Sequence, residues 1–364
     1  MSAVESEALL EHVERACTEY CAERKEHTLV VGLSRHGERV VKGFRSPDAR
    51  FVDVPNGRTL YEIGSVSKVY TTSLLSILVS QGLLALEDTV GQYYPQLNLK
   101  PEIAEVTLFD LATHSSGLDG DGIVLARLIK EAVDSGDFAN YTYYERYGLA
   151  ELHEELEVAR LVRPRGSGWE YSRTGLSILG HILTLATGKA YDALLQEYLC
   201  QPLGLTDTVC TLTDEQQSRL VHGFSSDGTP SLEWHWGVML PQGGIRATTD
   251  DMLTFLEANM AEDDTPLSAA FRRSRETEVV FPEGAEDLPP FPQALGWMNL
   301  PLGQSSFTHH TGATFSYMAV AGYDITTKTA VSVMTSSEKN LDDHETFPVF
   351  AFQLAIKAIL EASH

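Results

Sequence analysis

Ser65 and Lys68 have the residue types and the spacing of a nucleophile and its base. They lie in the stretch 61–82, YEIGSVSKVYTTSLLSILVSQG. Positions i and i+3 of a helix share one face, so the Lys68 side chain can lie against the Ser65 hydroxyl. A serine hydroxyl alone is a weak nucleophile, and a desolvated, neutral lysine amine can take its proton. The pair therefore predicts nucleophilic catalysis by Ser65, with the alternative that Ser65 caps a helix and Lys68 extends into solvent.

The sequence around this pair favours the catalytic interpretation. Gly64 permits a tight turn, and Ser65 falls in the first turn of the predicted helix, where free backbone N–H groups stabilise negative charge. The apolar residues that follow end at Gly82, which predicts a buried helix. A second Ser-x-x-Lys, formed by Ser336 and Lys339, follows a strand-like segment and opens no apolar helix, so it is interpreted as a loop.

Two later stretches contain further candidates. In WEYSRTGLSILG, Tyr171 precedes a helix-like pattern. Either it is a packing residue or, beside Lys68, its phenol has a lowered pKa and relays a proton to a leaving group. In FTHHTGATFSYMAV, Gly312 allows close approach of a strand edge whose N–H groups can bind a substrate carbonyl, and His310 and Thr311 would line that edge. The alternative for this segment is a loop-to-strand junction with solvent-facing histidines.

The elements that must position these residues come from both ends of the chain. A helix is predicted at residues 3–25, followed by a β-hairpin that turns at His36 and Gly37. Two strand-like runs that flank a turn at residues 325–328, and then a final helix, mirror this arrangement. The two ends of the sequence are therefore predicted to build one sheet together.

The middle of the chain has mostly helical patterns. We predict a discontinuous α/β domain, residues 1–64 and 290–364, with a mainly helical domain, residues 65–289, inserted into it. Residues 118–142 and 281–293 are predicted to be irregular, and loops of that length usually cover or shape a site.

Charge and composition argue against several classes of function. The 364 residues carry a formal net charge of −24, which would repel nucleic acid and an anionic membrane surface. No apolar run approaches the length of a membrane span, and the acidic N-terminal sequence lacks the features of a signal peptide, so a cytoplasmic location is expected. The four cysteines lack metal-site spacing and HExxH is absent, so neither a metal nor another cofactor is predicted.

The order of the three motifs carries a family resemblance. SVSK, then YSR, then HTG, with Gly296 and Trp297 shortly before the last, resembles the serine β-lactamase and penicillin-binding-protein superfamily. The resemblance is closer to the branch that contains class C β-lactamases, D,D-carboxypeptidases, D-aminopeptidases and β-lactamase-like esterases. It implies an antiparallel sheet flanked by helices beside a helical domain, with the active site in the cleft between them.

The resemblance also implies a role for each candidate. Ser65 would be the acylated nucleophile, and Lys68 and Tyr171 would transfer protons. The backbone N–H groups of Ser65 and Ala313 would form the oxyanion hole. The place of the family's lysine-threonine-glycine triplet would be taken by His310, Thr311 and Gly312.

Two residues depart from the family pattern and limit the substrate prediction. His310 stands where β-lactamases have lysine, and a histidine is only partly charged near neutral pH, so a substrate carboxylate is less strongly required. Arg173 stands where the family usually has asparagine; it either forms a structural ion pair or binds an anionic or carbonyl-rich substrate. β-Lactam hydrolysis is therefore not predicted to be the physiological reaction.

The predicted activity is acyl transfer through an acyl-Ser65 intermediate, with water as the default acceptor. The expected partners are small-molecule esters, amides or short peptides, including peptides with a D-residue. A biosynthetic acyltransferase, in which an amine or alcohol replaces water, remains an alternative. A catalytically inactive binding or scaffold protein is disfavoured because Ser65, Lys68 and Tyr171 are all present.

Overall fold

The computed structural model describes residues 7–49, 53–136, 142–223, 235–281, 292–336 and 341–362. Its strands are β1 (Thr28–Arg35), β2 (Glu38–Arg45), β3 (Leu60–Glu62), β4 (Arg246–Thr248), β5 (Val279–Val280), β6 (Pro292–Gln293), β7 (Met298–Leu302), β8 (Ser305–Ala313), β9 (Tyr317–Asp324) and β10 (Thr329–Ser336).

The α-helices in these ranges are α1 (Glu7–Ala22), α2 (Ser67–Ser80), α3 (Val90–Tyr93), α4 (Pro101–Ala104), α5 (Leu108–Ala112), α6 (Gly122–Ser135), α7 (Thr142–Arg146), α8 (Leu149–Val158), α9 (Arg173–Thr187), α10 (Tyr191–Leu195), α11 (Gln201–Leu203), α12 (Asp214–Arg219), α13 (Leu240–Gly243), α14 (Thr249–Asn259), α15 (Pro266–Glu276) and α16 (Leu341–Ala362). Short 3₁₀ turns occur at Gly64–Val66 and Gly237–Met239, and a π-helical turn at Gln196–Cys200. Among the described residues, no helix has the length and apolar character needed to cross a membrane.

Eight strands form one antiparallel sheet in the order β2-β1-β10-β9-β8-β7-β6-β5. β1, β9 and β10 are buried along their full length. They are buried on both faces because α1 and α16 cover one side of the sheet and α14 packs against the other. This architecture confirms the predicted antiparallel sheet flanked by the N- and C-terminal helices.

Both predicted hairpin turns are present. His36 and Gly37, between β1 and β2, have positive φ angles of 50° and 84°, as in the tight turns whose twist matches that of antiparallel strands. β9 and β10 are joined through residues 325–328. β1 pairs with β10 so that Thr28 lies opposite Ser336. The two ends of the sequence therefore build one sheet, as predicted.

Ser336 is not in a loop, so that interpretation of the second Ser-x-x-Lys is wrong. It is the buried last residue of β10, where its hydroxyl oxygen lies 2.6 Å from Thr28 Oγ1. Ser336 pairs with Thr28 of β1, and this pairing holds it in the sheet. Lys339 lies outside the described residues.

α2 is the central helix beside the sheet. Every residue from Ser67 to Leu78 is buried, because α9, α13 and α15 pack around it. The helix follows directly on the 3₁₀ turn at Gly64–Val66 and ends just before Gly82, whose φ of 70° is typical of a residue that stops a helix. The predicted buried helix that carries Lys68 is therefore present.

Residues 118–142 are not irregular as predicted, because they contain the 14-residue helix α6. Its buried residues follow helical spacing: Val124, Leu125, Leu128 and Ala132. The glycines and aspartates of the preceding GLDGDG obscured this pattern in the sequence. Most of the segment 281–293, also predicted to be irregular, lies outside the described residues.

The division into two domains stays a prediction. α14 belongs to the segment predicted to be helical, yet it packs directly against β1 and β10. One apolar core includes Val30 and Tyr323 of the sheet together with Leu176 of α9. The sheet and the helices therefore share one continuous apolar core.

Candidate active site

Ser65 lies where the sheet meets the helices. It occupies the 3₁₀ turn Gly64–Val66, next to the end of β8. A Cβ atom at Gly312 would clash with the backbone before Gly64 and lie 3.0 Å from Ser65 N, and one at Gly64 would lie 2.6 Å from Ala313 N. The two glycines therefore let the backbone amides of Ser65 and Ala313 approach each other, as the two donors of an oxyanion hole require.

Lys68 is completely buried beside Ser65. Its Nζ atom lies 2.8 Å from Ser65 Oγ, 2.8 Å from the backbone oxygen of Gln242 and 3.0 Å from Gln242 Oε1. Burial and the positive charge of Arg173 lower the Lys68 pKa well below its ordinary value, although Asp121 acts in the opposite direction. The alternative that Lys68 extends into solvent is wrong, and its amine has the contact and the lowered pKa that a base requires.

Tyr171 lies directly before α9, whose N-cap is Ser172. Lys68 Nζ is 4.9 Å from the centre of the Tyr171 ring. Burial raises the pKa of Tyr171 to about 12, although its hydrogen bond with Ser65 and the charge of Arg173 act in the opposite direction. The expected lowering of this pKa by Lys68 is therefore wrong. At neutral pH the phenol keeps its proton and can donate it.

His310 and Thr311 lie on β8, next to Gly312. The His310 ring is buried, and its Nδ1 lies 2.5 Å from the carbonyl oxygen of Thr311. Burial lowers the His310 pKa to about 3, and nearby Lys68 contributes in the same direction. The imidazole is therefore neutral at pH 7, rather than partly charged or facing solvent.

Arg173, the first residue of α9, forms an ion pair with Asp121, which directly precedes α6. Burial acts to lower the Arg173 pKa, but Asp121 and the nearby phenols of Tyr144 and Tyr171 together raise it. The two side chains remain 41% and 29% exposed. The ion pair agrees with the structural alternative for Arg173, while its exposure leaves the guanidinium within reach of a bound molecule.

A cavity of about 290 Å³ lies beside Ser65, near the lower limit for small-molecule pockets. The side chains and backbone around it come from the 3₁₀ turn, the start of α9, strands β8 and β9, and α16. The lining residues are Ser65, Tyr171, Arg173, Thr311, Gly312, Ala313, Met318, Ala319, Phe347 and Pro348. Among the described residues, no group of histidine, cysteine, aspartate or glutamate side chains is arranged to hold a metal ion.

Two residues of the site were missed in the sequence. Gln242 of α13 supplies both backbone and side-chain oxygen to Lys68. His114 is buried at a positive φ of 57°; its Nδ1 accepts the Ser172 N–H at 3.1 Å, and its ring centre is 4.6 Å from that of Tyr171. Both residues lie in or beside stretches that carried the family resemblance, ATHSSGL and GGIRATT, but their residue types alone indicated no role.

Comparison with known proteins agrees with this fold. The family model described as Beta-lactamase matches residues 13–355. A beta-lactamase of Pseudomonas fluorescens is 25% identical over 245 residues, covering 67% of this chain and 61% of that protein. Esterase EstB of Burkholderia gladioli is 31% identical over 220 residues, covering 57% of this chain and 52% of the esterase. The match thus spans little more than half the length of these curated relatives.

A solved structure has the same fold over the full length of the chain. The beta-lactamase from Sulfitobacter sp. EE-36 superimposes with a TM-score of 0.80 at 19% identity, covering 100% of both chains. At this identity the likeness establishes the fold. Because the family model also covers residues 13–355, the chain belongs to the beta-lactamase family.

Proposed function

We propose that this protein hydrolyses small, uncharged esters through an acyl-Ser65 intermediate. The observation that carries the proposal is the 2.8 Å contact between Ser65 Oγ and the buried amine of Lys68, whose pKa is strongly lowered. A neutral amine in that position is the base that a serine hydroxyl needs in order to attack a carbonyl carbon.

The remaining groups fit the steps of such a reaction. Lys68 takes the Ser65 proton as Oγ attacks, and the N–H groups of Ser65 and Ala313 stabilise the negative charge that develops on the carbonyl oxygen. Tyr171, protonated because its pKa is raised to about 12, gives a proton to the departing alcohol. The protonated Lys68 then passes its proton to the Tyr171 phenolate, which restores the neutral amine and the protonated phenol. Water attacks the acyl-enzyme and gives a proton to Lys68, and Lys68 returns that proton to the departing Ser65 oxygen, so that the free acid is released.

Electrostatics favour an uncharged acyl donor. His310, in the place where β-lactamases have lysine, is neutral because burial lowers its pKa to about 3. Arg173, which lines the cavity, is neutralised by Asp121. A substrate carboxylate, as in β-lactams or the free end of a peptide, would therefore lack an unpaired cationic partner among the described lining residues. One of the relatives is named an esterase, which supports an ester as the substrate.

The test combines covalent labelling with turnover. Wild-type protein, Ser65→Ala and Ser336→Ala are incubated with a fluorophosphonate, their intact masses are measured, and their kcat/KM is determined on matched neutral and carboxylate-bearing esters. We expect one label on the wild type and on Ser336→Ala, none on Ser65→Ala, and a preference for the neutral ester. Product analysis with added alcohols and amines distinguishes hydrolysis from acyl transfer to those acceptors.

Absence of a label on wild-type Ser65, or full turnover by Ser65→Ala, would overturn the proposed function. A preference for the carboxylate-bearing ester would retain acyl-Ser65 chemistry but overturn the proposed substrate class. Faster formation of an ester or amide than of the free acid would favour the acyltransferase alternative.

A further inference from the structure

We propose that Gln242 is the positioning residue that aims the Lys68 amine at Ser65. This inference rests on the proposed function, because it assigns the orientation of the base in the same reaction. Gln242 is remote in sequence from both residues and has neither a charge nor a nucleophilic atom. Its importance comes from two oxygen atoms that reach the same nitrogen.

Three oxygen atoms surround Nζ, an arrangement that suits the three N–H groups of an ammonium and also a neutral amine, which is the form that the proposed function requires. Such an amine has two N–H hydrogens and one lone pair. The backbone oxygen and Oε1 of Gln242, at 2.8 Å and 3.0 Å, accept the two hydrogens. The third neighbour, Ser65 Oγ at 2.8 Å, then faces the lone pair. Gln242 therefore leaves the lone pair one direction in which to act, toward the hydroxyl hydrogen of Ser65.

The backbone on both sides of Gln242 is fixed to the helix that carries Lys68. On one side the Thr71 hydroxyl donates to the Pro241 carbonyl at 2.6 Å. On the other side the Ile245 N–H donates to Ser67 Oγ at 3.1 Å. Ser67 and Thr71 lie in α2 together with Lys68. The acceptor and the amine are therefore held by the same helix, and their separation does not depend on a flexible loop.

Close packing of α9 fixes the same segment from the other side. A Cβ atom at Gly180 would clash with the Pro241 ring, so the glycine permits α13 to lie directly on α9. The Gln242 side chain is only 2% exposed. A buried side chain with this little space has few alternative rotamers, which keeps Oε1 in place beside Lys68.

The residue type also suits the task. A carboxylate at this position would attract the ammonium form of Lys68 and raise its pKa, which would remove the base at neutral pH. An apolar side chain would leave one N–H without an acceptor and let the amine rotate. Arg173, two residues after Tyr171, is held by Asp121, and among the described residues the hydrogen-bond partners of Lys68 Nζ are Ser65 and Gln242.

The experiment compares two variants of Gln242 with one matched control. Gln242→Glu keeps the shape and adds charge, whereas Gln242→Met keeps the length and removes the acceptor. Gln216→Met is the control, because it removes another buried glutamine that does not contact Lys68. The Gln216 side chain donates to the Thr206 carbonyl at 3.1 Å. For each variant the melting temperature, the fluorophosphonate acylation rate and the pH profile of kcat/KM on a neutral ester are measured.

For Gln242→Glu we expect the acidic limb of the profile to move upward by about one pH unit or more, with much of the rate recovered at alkaline pH. For Gln242→Met we expect acylation and kcat/KM to fall by roughly tenfold or more with little change in KM. Gln216→Met should keep the wild-type profile, whatever its melting temperature.

Several outcomes would overturn the inference. An unmoved acidic limb in Gln242→Glu would show that the side chain at position 242 does not contact the Lys68 amine. Equal losses at every pH in both variants, tracking a lowered melting temperature as in Gln216→Met, would show a purely structural role. If Gln242→Glu fails to fold, an unchanged acylation rate in folded Gln242→Met would also overturn the inference about Gln242.

The proposed function is tested separately by the wild-type protein. If the fluorophosphonate labels wild-type Ser65, the proposed function stands even when the inference about Gln242 fails; if it does not, the proposed function itself is overturned.

Discussion

Arg173 and Asp121 form an ion pair beside the cavity that contains Ser65. The pair joins the first residue of α9 to the residue that precedes α6, and it neutralises a cation that would otherwise face a bound acyl group. It therefore couples the choice of substrate to a contact between two helices. Replacing Asp121 should therefore change the substrate preference, with limited effect on how α6 and α9 pack.

We predict that Asp121→Asn increases the kcat/KM of a carboxylate-bearing ester relative to its neutral counterpart by about tenfold, the effect of one charge-assisted hydrogen bond. Asp121 makes no capping hydrogen bond at the start of α6, so asparagine should be accommodated. Glu154→Gln is the matched control, because it breaks the exposed 2.7 Å Arg127–Glu154 pair away from the cavity.

The gain should disappear in the double variant Asp121→Asn with Arg173→Asn. If the ratio of the two esters is unchanged in Asp121→Asn while the melting temperature falls, Arg173 has a structural role alone and does not contact substrate.

Tyr171→Phe should reduce turnover by on the order of 10²-fold, because it removes the proton donor to the leaving group. The loss should be greater for an alkyl ester than for a nitrophenyl ester, whose leaving group departs without a proton. Stability should change little, since the ring keeps its contacts with His114 and Trp169.

Tyr147→Phe is the control for this substitution, because it removes a buried hydroxyl that has no hydrogen-bond partner among the residues that the structure describes. An equal loss on both esters would exclude Tyr171 as the acid. Early unfolding of Tyr171→Phe with full activity in the folded fraction would instead identify a packing residue.

Lys68→Met should abolish turnover and also change how stability depends on pH. Burial lowers the Lys68 pKa well below 10.5, so between the lowered value and 10.5 the unfolded chain binds more protons than the folded protein. Stability from this group therefore rises with pH in that window and is smallest at its acidic end. Relative to wild type, Lys68→Met should melt highest near about pH 7 and lose this advantage toward about pH 10. A constant difference in melting temperature across that range would contradict the assignment of a neutral amine.

His310→Asn should flatten the loss of stability in acid. The His310 pKa is lowered from 6.5 to about 3, so below pH 6.5 the unfolded chain takes up a proton that the folded protein excludes. Stability is therefore lost as the pH falls from 6.5 toward about 3, by about 2 kcal/mol for this group at about pH 5. Urea unfolding at about pH 7 and about pH 5 measures the difference between variant and wild type.

His27→Asn provides the comparison, because His27 is also buried with its pKa lowered to about 3. It should flatten the acid dependence to a similar extent while leaving the preference between neutral and charged esters unchanged. An acid dependence in His310→Asn identical to that of wild type would show that His310 is not held neutral by the fold.

The sequence was sufficient to predict features that depend on local pattern. The buried helix ending at Gly82, the turn at His36 and Gly37, and the pairing of both ends in one sheet follow from periodicity and turn chemistry. Ser65 and Lys68 were identifiable because their spacing predicts a shared face, and because the apolar helix that follows and the order of the three motifs distinguish them from Ser336 and Lys339.

What the sequence did not reveal depends on contacts between remote segments. Gln242 approaches Lys68 only because Ser67 and Thr71 hold its backbone against α2. The direction of the Tyr171 pKa shift was mistaken because burial, which a sequence does not display, outweighs the nearby charges. Asp121 as the partner of Arg173 was hidden with α6 in a segment whose glycines suggested a loop.

The contact between Gly64 and Ala313, and between Gly312 and the backbone before Ser65, has a mechanical consequence. The nucleophile and the strand edge touch through main-chain atoms, so no side-chain rearrangement can widen the gap between them. Expansion of the site for a larger acyl group must instead displace side chains of its outer walls, such as Met318 and Phe347. The reacting carbonyl would then keep the same alignment while the group attached to it varies, so chain length and shape of the acyl group can be exchanged in variants without rebuilding the catalytic centre.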